Sequence, residues 1–149
     1  MTKKPHILIV EDSNEDYQST LRAFKEVNLA STNARCDNGD EALDYLYRRA
    51  KYSDPGTSPR PTMILLDLNL PGTDGRSVLK KIKNDPSLCM IPVTVLTTSA
   101  DERDIEHCYS EGANSYLQKP VRFLNFVESI RRLKDYWFEI VLFPDDEKA

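Results

Sequence analysis

Three carboxylates, two hydroxyls and one lysine stand where the short apolar runs of this sequence stop. HILIV (6–10) ends on Glu11 and Asp12, TMILLD (62–67) ends on Asp67, PVTVLTT (92–98) ends on Thr97 and Thr98, and SYLQK (115–119) ends on Lys119. Each residue alone has an ordinary use. Asp12 or Ser13 suits the start of a helix, Thr97, Thr98 and Ser99 suit the start of another, and a lone lysine is at home in water. Together they are a different matter, because three carboxylates on one edge repel one another and need a cation. Mg2+ meets that need: it takes oxygen ligands, keeps several waters, and requires only a few carboxylates and a carbonyl. Such a site sets a phosphate donor against a carboxylate nucleophile, and a lysine and a hydroxyl suit the equatorial oxygens of the transferred group. The chemistry the set supports is phosphoryl transfer onto an aspartate.

The elements that must position these groups are legible as alternating runs. HILIV, TNARC, TMILLD, PVTVLTT and SYLQK read as five strands. Between them lie segments of helical period: one with Leu21, Phe24 and Val27, one with Ala42, Leu43, Leu46 and Tyr47, one of the type RSVLKKIKN, and DERDIEHCYSEG, with acids at its start and Gly112 at its end. YSDPGTSPRP, rich in Pro, Ser and Gly, reads as an exposed loop. Strict alternation of five β and five α units predicts an α/β fold with a doubly wound parallel sheet and helices on both faces. In such a sheet functional residues gather at the carboxyl ends of the strands, near the switch in strand order, which is where the acids, hydroxyls and lysine fall. An α+β arrangement fits the alternation less well.

Composition narrows the partners. The 149 residues fit one domain, 1–149, with a core over about 6–133 and an extension over about 134–149. Twenty basic against 24 acidic residues give a net charge of -4, which argues against a nucleic-acid surface. Arg131, Arg132 and Lys134 read as the wet face of a helix. The apolar part of MTKKPHILIV stops too early for a secretion signal, and no run is long enough to span a membrane. Cys36, Cys89 and Cys108 fit neither a disulfide framework nor a zinc pattern, so they read as packing residues in a reducing cytoplasm.

Other phosphate chemistries do not fit. There is no GxxxxGK(S/T) loop, and VEDSNED stands where a dinucleotide fold would carry GxGxxG. DLNLPG opens like a calcium loop, but Pro71 and Val78 occupy ligand positions. His6 and His107 join no triad or metal cluster.

IVED at 9–12, LLDLNLPGTDG at 65–75, VLTTS at 95–99 and KP at 119–120 are similar, in order and spacing, to the response-regulator receiver domain. The likeness runs from about His6 to Leu133 and is of the single-domain type, with no output domain following. The insertion after the second helix, the stretch LLDLNLPGTDGR and the C-terminal DYWFEIVLFP resemble more narrowly the regulators paired with cyanobacterial phytochromes. The resemblance implies a flavodoxin-like sheet of strand order 2-1-3-4-5. It implies that Asp67 is the phosphoacceptor for a sensor histidine kinase of phytochrome type. Glu11 and Asp12 would hold Mg2+ with Asp67 and the backbone carbonyl of Asn69. Lys119 would pair with a phosphoryl oxygen, positioned by a cis bond to Pro120. Thr97 would be the switch hydroxyl and Tyr116 the aromatic that rotates inward. Asn69 and Ser99 would tune acyl-phosphate hydrolysis, and Asp74 drops out as a turn or helix-cap residue. A haloacid-dehalogenase-like phosphatase would need a second Asp two places after Asp67, where Asn69 cannot exchange a proton. An inert binding module is opposed by the intact acid pair, Thr97 and Lys119. The protein is therefore expected to be a phosphoacceptor rather than a true enzyme.

The last helix is expected to run from near Val121 to Leu142, about 33 Å. Phe123, Phe126, Val127, Ile130, Leu133, Trp137, Ile140 and Val141 form its apolar stripe. Leu124, Tyr136, Phe138, Leu142 and Phe143 fall outside that stripe. With Trp137, the aromatic residues Tyr136, Phe138 and Phe143 suggest a contact surface for a homodimer; a tail folded back on its own domain is the alternative.

Overall fold

Strand residues alternate between two helical layers, and that alternation organises the chain. The computed structural model describes residues 4–144. Its strands are β1 (His6–Val10), β2 (Thr32–Cys36), β3 (Met63–Leu66), β4 (Val93–Thr97) and β5 (Ser115–Gln118). Its helices are α1 (Asn14–Glu26), α2 (Gly39–Tyr47), α3 (Gly75–Asn84), α4 (Glu102–Ser110) and α5 (Phe123–Trp137), with a 3-10 turn at Ala50–Tyr52. All strand pairs are parallel, in the expected order β2-β1-β3-β4-β5.

Leu8, Val10, Ile64, Leu66, Val93 and Val95 face α2, α3 and α4, where they meet Leu43, Leu46, Val78, Leu79, Ile82 and Cys108. Their neighbours Ile7, Ile9, Met63, Leu65 and Leu96 face α1 and α5, meeting Ala23, Phe24, Phe126, Val127 and Ile130. β1, β3 and β4 are therefore apolar at almost every position, as strands covered on both faces must be. Each buried Leu or Ile side chain contributes about 1.5–3 kcal/mol relative to exposure. Burial pushes the Cys36 thiol up to about 12 and the Cys108 thiol up to about 11, which suits inert packing residues.

Helix starts follow the sequence signals. Ser13, Asn38, Asp74 and Asp101 each accept a backbone N–H from the first turn of α1, α2, α3 and α4. Asp74 is thus a cap, as expected. Gly75 is required by a close approach: a Cβ there would land against the Asp67 carbonyl oxygen and 2.6 Å from Leu68 Cα, while its N–H bonds the Leu68 carbonyl at 2.9 Å. Gly75→Ala is expected to destabilise the protein by about 1–3 kcal/mol and to displace the 67–69 segment, read by denaturant unfolding.

Three expectations about the chain path change. The loop YSDPGTSPRP is mostly exposed, but Ser58 within it is buried and donates its hydroxyl to the Tyr52 carbonyl at 2.9 Å. Tyr45 also reaches the loop, donating to the Pro59 carbonyl at 2.8 Å and meeting Tyr52 edge-on. These contacts dock the loop under α2. The last helix ends at Trp137 rather than Leu142, and the chain turns so that the Val141 N–H bonds the Tyr136 carbonyl at 3.0 Å. Phe143 then lies 6.0 Å from both Trp137 and Phe138, nearly parallel to the latter. A continued helix would carry these rings past the sheet into water; the turn returns them to the α1/α5 layer. Phe138, expected outside the core stripe, packs against it, whereas Ile140, expected within it, is exposed. Residues 145–149 of the expected extension lie outside the described residues. Finally, the Lys119–Pro120 bond is trans, as are all peptide bonds among the described residues.

Candidate functional site

β1 and β3 are neighbours at the point where the strand order reverses, so their carboxyl ends open side by side. Glu11 follows β1 and is anchored through its N–H to the Cys36 carbonyl at 3.0 Å; Asp67 follows β3 and is anchored to the Val10 carbonyl at 3.0 Å. Both side chains are buried, while Asp12 is exposed at the mouth. Carboxylate oxygens of Glu11, Asp12 and Asp67 lie within 4.8 Å of one another. The Asn69 N–H points back to Asp67 Oδ1 at 3.4 Å.

Lys119 enters from β5. Its N–H bonds the Thr97 carbonyl at 2.7 Å, which fixes the residue without the expected cis bond. Its ammonium lies 2.5 Å from Glu11 Oε1, 2.9 Å from Asp16 Oδ2 and 3.2 Å from Asp67 Oδ2. Burial alone would lower the lysine pKa, but the bonds to Glu11 and Asp16 outweigh it and hold it above the ordinary value. Glu11 moves the other way from a typical salt-bridged acid. Its burial, with the adjacent Asp67 adding to it, pushes the carboxyl up to about 7 against the pull of Lys119. One lysine does not neutralise this cluster, and the donor set is all oxygen. Both facts fit a hard divalent ion.

Thr97 is the last residue of β4, the strand beside β3. It is fully buried, and its Oγ1 is an unpartnered buried polar atom. Such an orphan hydroxyl costs about 1–3 kcal/mol, and an incoming oxygen ligand would relieve it. Tyr116 points inward, packed against the core beside α4, with its hydroxyl donating to the Ser99 carbonyl at 3.0 Å.

Two residues of this edge escaped the sequence reading. Asp16 shares Lys119, although its place in the first turn of α1 is fully accounted for by the helix dipole. Arg35, from β2, donates to the Glu11 carbonyl at 3.1 Å, the Asn14 side chain at 2.7 Å and the Asp12 carbonyl at 3.3 Å, and so pins the acidic turn from outside. Nothing in the short run TNARC marks Arg35 for this use. At the other end of the chain, Tyr136 is exposed, but Trp137, Phe138 and Phe143 are half-buried against their own chain.

An open parallel sheet with this acid cluster, lysine and hydroxyl at its carboxyl edge defines an α/β receiver. Residues 7–131 match the response regulator receiver domain, and the chain belongs to that family. It is 40% identical over 131 residues to the probable methanogenesis regulatory protein FilR2 of Methanothrix harundinacea, covering 88% of this chain and 82% of that one. It is 38% identical over 138 residues to response regulator Rcp1 of Synechocystis, covering 93% and 92%. The crystal structure of the phosphorylated cyanobacterial phytochrome response regulator RcpA superposes with a TM-score of 0.89 at 34% identity, covering 96% of this chain and all of that one. The Mn2+-bound form of Rcp1 gives 0.87 at 37% identity over 95% and 99% of the two chains. The protein is a two-component response regulator related to the phytochrome response regulators, and receivers of this kind bind a divalent metal.

Proposed function

We propose that Asp67 accepts a phosphoryl group from the phosphohistidine of a sensor kinase of phytochrome type, and that this chain signals through protein partners. The observation that carries the reading is the junction at Lys119, whose ammonium meets Glu11 and Asp67 from β1 and β3 beside the orphan hydroxyl of Thr97. An Asp67 oxygen attacks phosphorus in line as the P–N bond breaks, and the departing imidazole keeps the electron pair. Mg2+, held by Glu11, Asp12, Asp67 and the Asn69 carbonyl, would screen the phosphoryl oxygens. Lys119 exchanges a carboxylate partner for a phosphoryl oxygen, and Thr97 donates its free hydroxyl to another. Tyr116 reports the state of the β4–α4 segment. Asn69, whose N–H faces Asp67, would tune acyl-phosphate hydrolysis, and the Ser99 hydroxyl is turned to Asp104; self-catalysed hydrolysis is slow and is not the protein's purpose.

No helix among the described residues is long and apolar enough to cross a membrane. A cytoplasmic location and a homodimer complete the proposal. The dimer surface would centre on Leu124, Tyr136, Ile140 and Leu142, the exposed apolar side chains of α5 and its turn, with Trp137, Phe138 and Phe143 supporting them from beneath. Incubation with acetyl phosphate and Mg2+ tests the reading by intact mass. One phosphoryl group retained per chain is expected; rapid turnover of added monoesters would point to a phosphatase, and neither result to an inert module. Light scattering on Tyr136→Glu, which leaves the core rings in place, checks the dimer: a monomer is expected where the parent chain is a dimer, and a monomeric parent would refute it.

A further inference from the structure

Arg76, Asp104 and Ser99 make a polar chain that reaches Tyr116 from outside the acid pocket. Arg76, in the first turn of α3, donates its Nε–H to Asp104 Oδ1 at 2.9 Å, and its Nη1 meets the Asp74 carboxylate at 3.1 Å. The other oxygen of Asp104, on α4, accepts the Ser99 hydroxyl at 2.8 Å. The Ser99 carbonyl in turn accepts the Tyr116 hydroxyl. The side chains of Arg76 and Asp104 are only 29% and 22% exposed, so this charge-assisted pair is partly shielded from water. Arg76, with Ser99 assisting, holds the Asp104 carboxyl below the ordinary range, which keeps both acceptor oxygens available.

The placement of the chain matters more than its strength. Arg76 sits at the end of the segment that carries Asp67 and Asn69, and Ser99 lies two residues beyond Thr97. Thr98 and Ala100, on either side of Ser99, are exposed and contribute no core packing. Side-chain anchorage of this segment runs through the Ser99 hydroxyl, which donates to Asp104 and accepts the Asp101 N–H at 3.2 Å, through the Asp101 cap, and through Gln118, whose Nε2 donates to the Thr98 carbonyl at 3.2 Å.

We propose that the Arg76–Asp104 pair positions Ser99 so that its carbonyl holds Tyr116 inward, biasing the receiver toward the arrangement in which that ring is packed. Arg76 and Asp104 are positioning residues: they act through Ser99, away from the phosphoryl site. This rests on the reading that Asp67 is phosphorylated and that Tyr116 reports it. A bias of this kind favours any ligand of that arrangement in proportion to the population already there.

The test places 3-fluorotyrosine at position 116 of the full chain and follows its 19F resonance, first without metal and then during titration with beryllium fluoride and Mg2+. The parent chain is expected to show a packed-ring resonance before any addition. Asp104→Ala and Arg76→Gln should move it toward the solvent-exposed position and weaken beryllium fluoride binding about fivefold. Arg76→Lys should recover part of both effects, and combining Arg76→Gln with Asp104→Ala should add little. Ser99→Ala, which removes only the hydroxyl, should move the resonance in the same direction and keeps the test informative should Asp104→Ala loosen the fold. An unmoved resonance in Asp104→Ala and Ser99→Ala would overturn the brace. If the parent chain ignores beryllium fluoride, the phosphoacceptor reading fails instead, while the metal-free spectra still decide whether the brace places Tyr116.

Discussion

Asp67→Asn is expected to abolish phosphoryl retention from acetyl phosphate and to remove stabilisation by Mg2+, while leaving the fold intact. The backbone bond from residue 67 to the Val10 carbonyl does not involve the side chain, so β3 keeps its end. An amide in place of the carboxylate removes the nucleophile and one of the three negative charges gathered within 4.8 Å, leaving only a neutral oxygen for the metal. Lys119 keeps Glu11 and Asp16 as partners, and Glu11 loses the neighbouring charge that helps to push its carboxyl up to about 7. Relief of that repulsion is worth about 1 kcal/mol, so the metal-free variant should melt at or slightly above the parent. The parent should gain stability with rising Mg2+ by mass action, and the variant should not. Intact mass and thermal melts with and without Mg2+ read both effects. A phosphoryl group retained by the variant would move the acceptor elsewhere.

Lys119→Met should have the largest effect on stability. The Lys119 side chain is 11% exposed and its ammonium faces two buried acids, so its loss leaves their charges uncompensated. Breaking such a pair costs about 3–5 kcal/mol. The sign with pH follows from Glu11. Its folded carboxyl already lies above the ordinary 4.5, at about 7, and rises further without the lysine. Between those values the folded state binds more protons than the unfolded one, so stability of the variant falls as pH rises from 5 to 8, by up to about 1.4 kcal/mol per unit. Added Mg2+ should restore much of the loss by supplying the missing charge. Urea unfolding across that pH range, in EDTA and in Mg2+, measures each part; a variant as stable as the parent at pH 8 in EDTA would show that Lys119 does not balance the cluster.

Every strand and the caps Ser13 and Asp74 follow from local properties of the sequence, whereas α4 is capped by Asp101 rather than by Thr97, Thr98 or Ser99. Apolar runs of strand length need burial on two faces, helix starts need an oxygen for their free N–H groups, and Gly75 sits where the backbone of the Asp67 segment leaves no room for a Cβ. The ordered motifs also placed Glu11, Asp12, Asp67, Thr97 and Lys119 on one edge before any distance was known. The failures share one cause. Asp16 already had a sufficient local role as a helix-start acid, and Arg35 lay in a short, unremarkable strand; their contacts with Lys119 and the acidic turn span 103 and 23–24 residues. The apolar period of α5 continued past Trp137, yet the chain turned because the α1/α5 layer ends there and the rings pack better folded back.

The sequence by itself determined the order of elements and the edge at which the acids, the hydroxyls and the lysine gather, since each depends on period and on what a strand or helix end requires. Only the tertiary structure decided that Lys119 is shared among three acids, that Thr97 is left without a partner and that Tyr116 is inward on Ser99. Those outcomes depend on distances between side chains that meet only when remote segments are packed, and no local pattern encodes such distances.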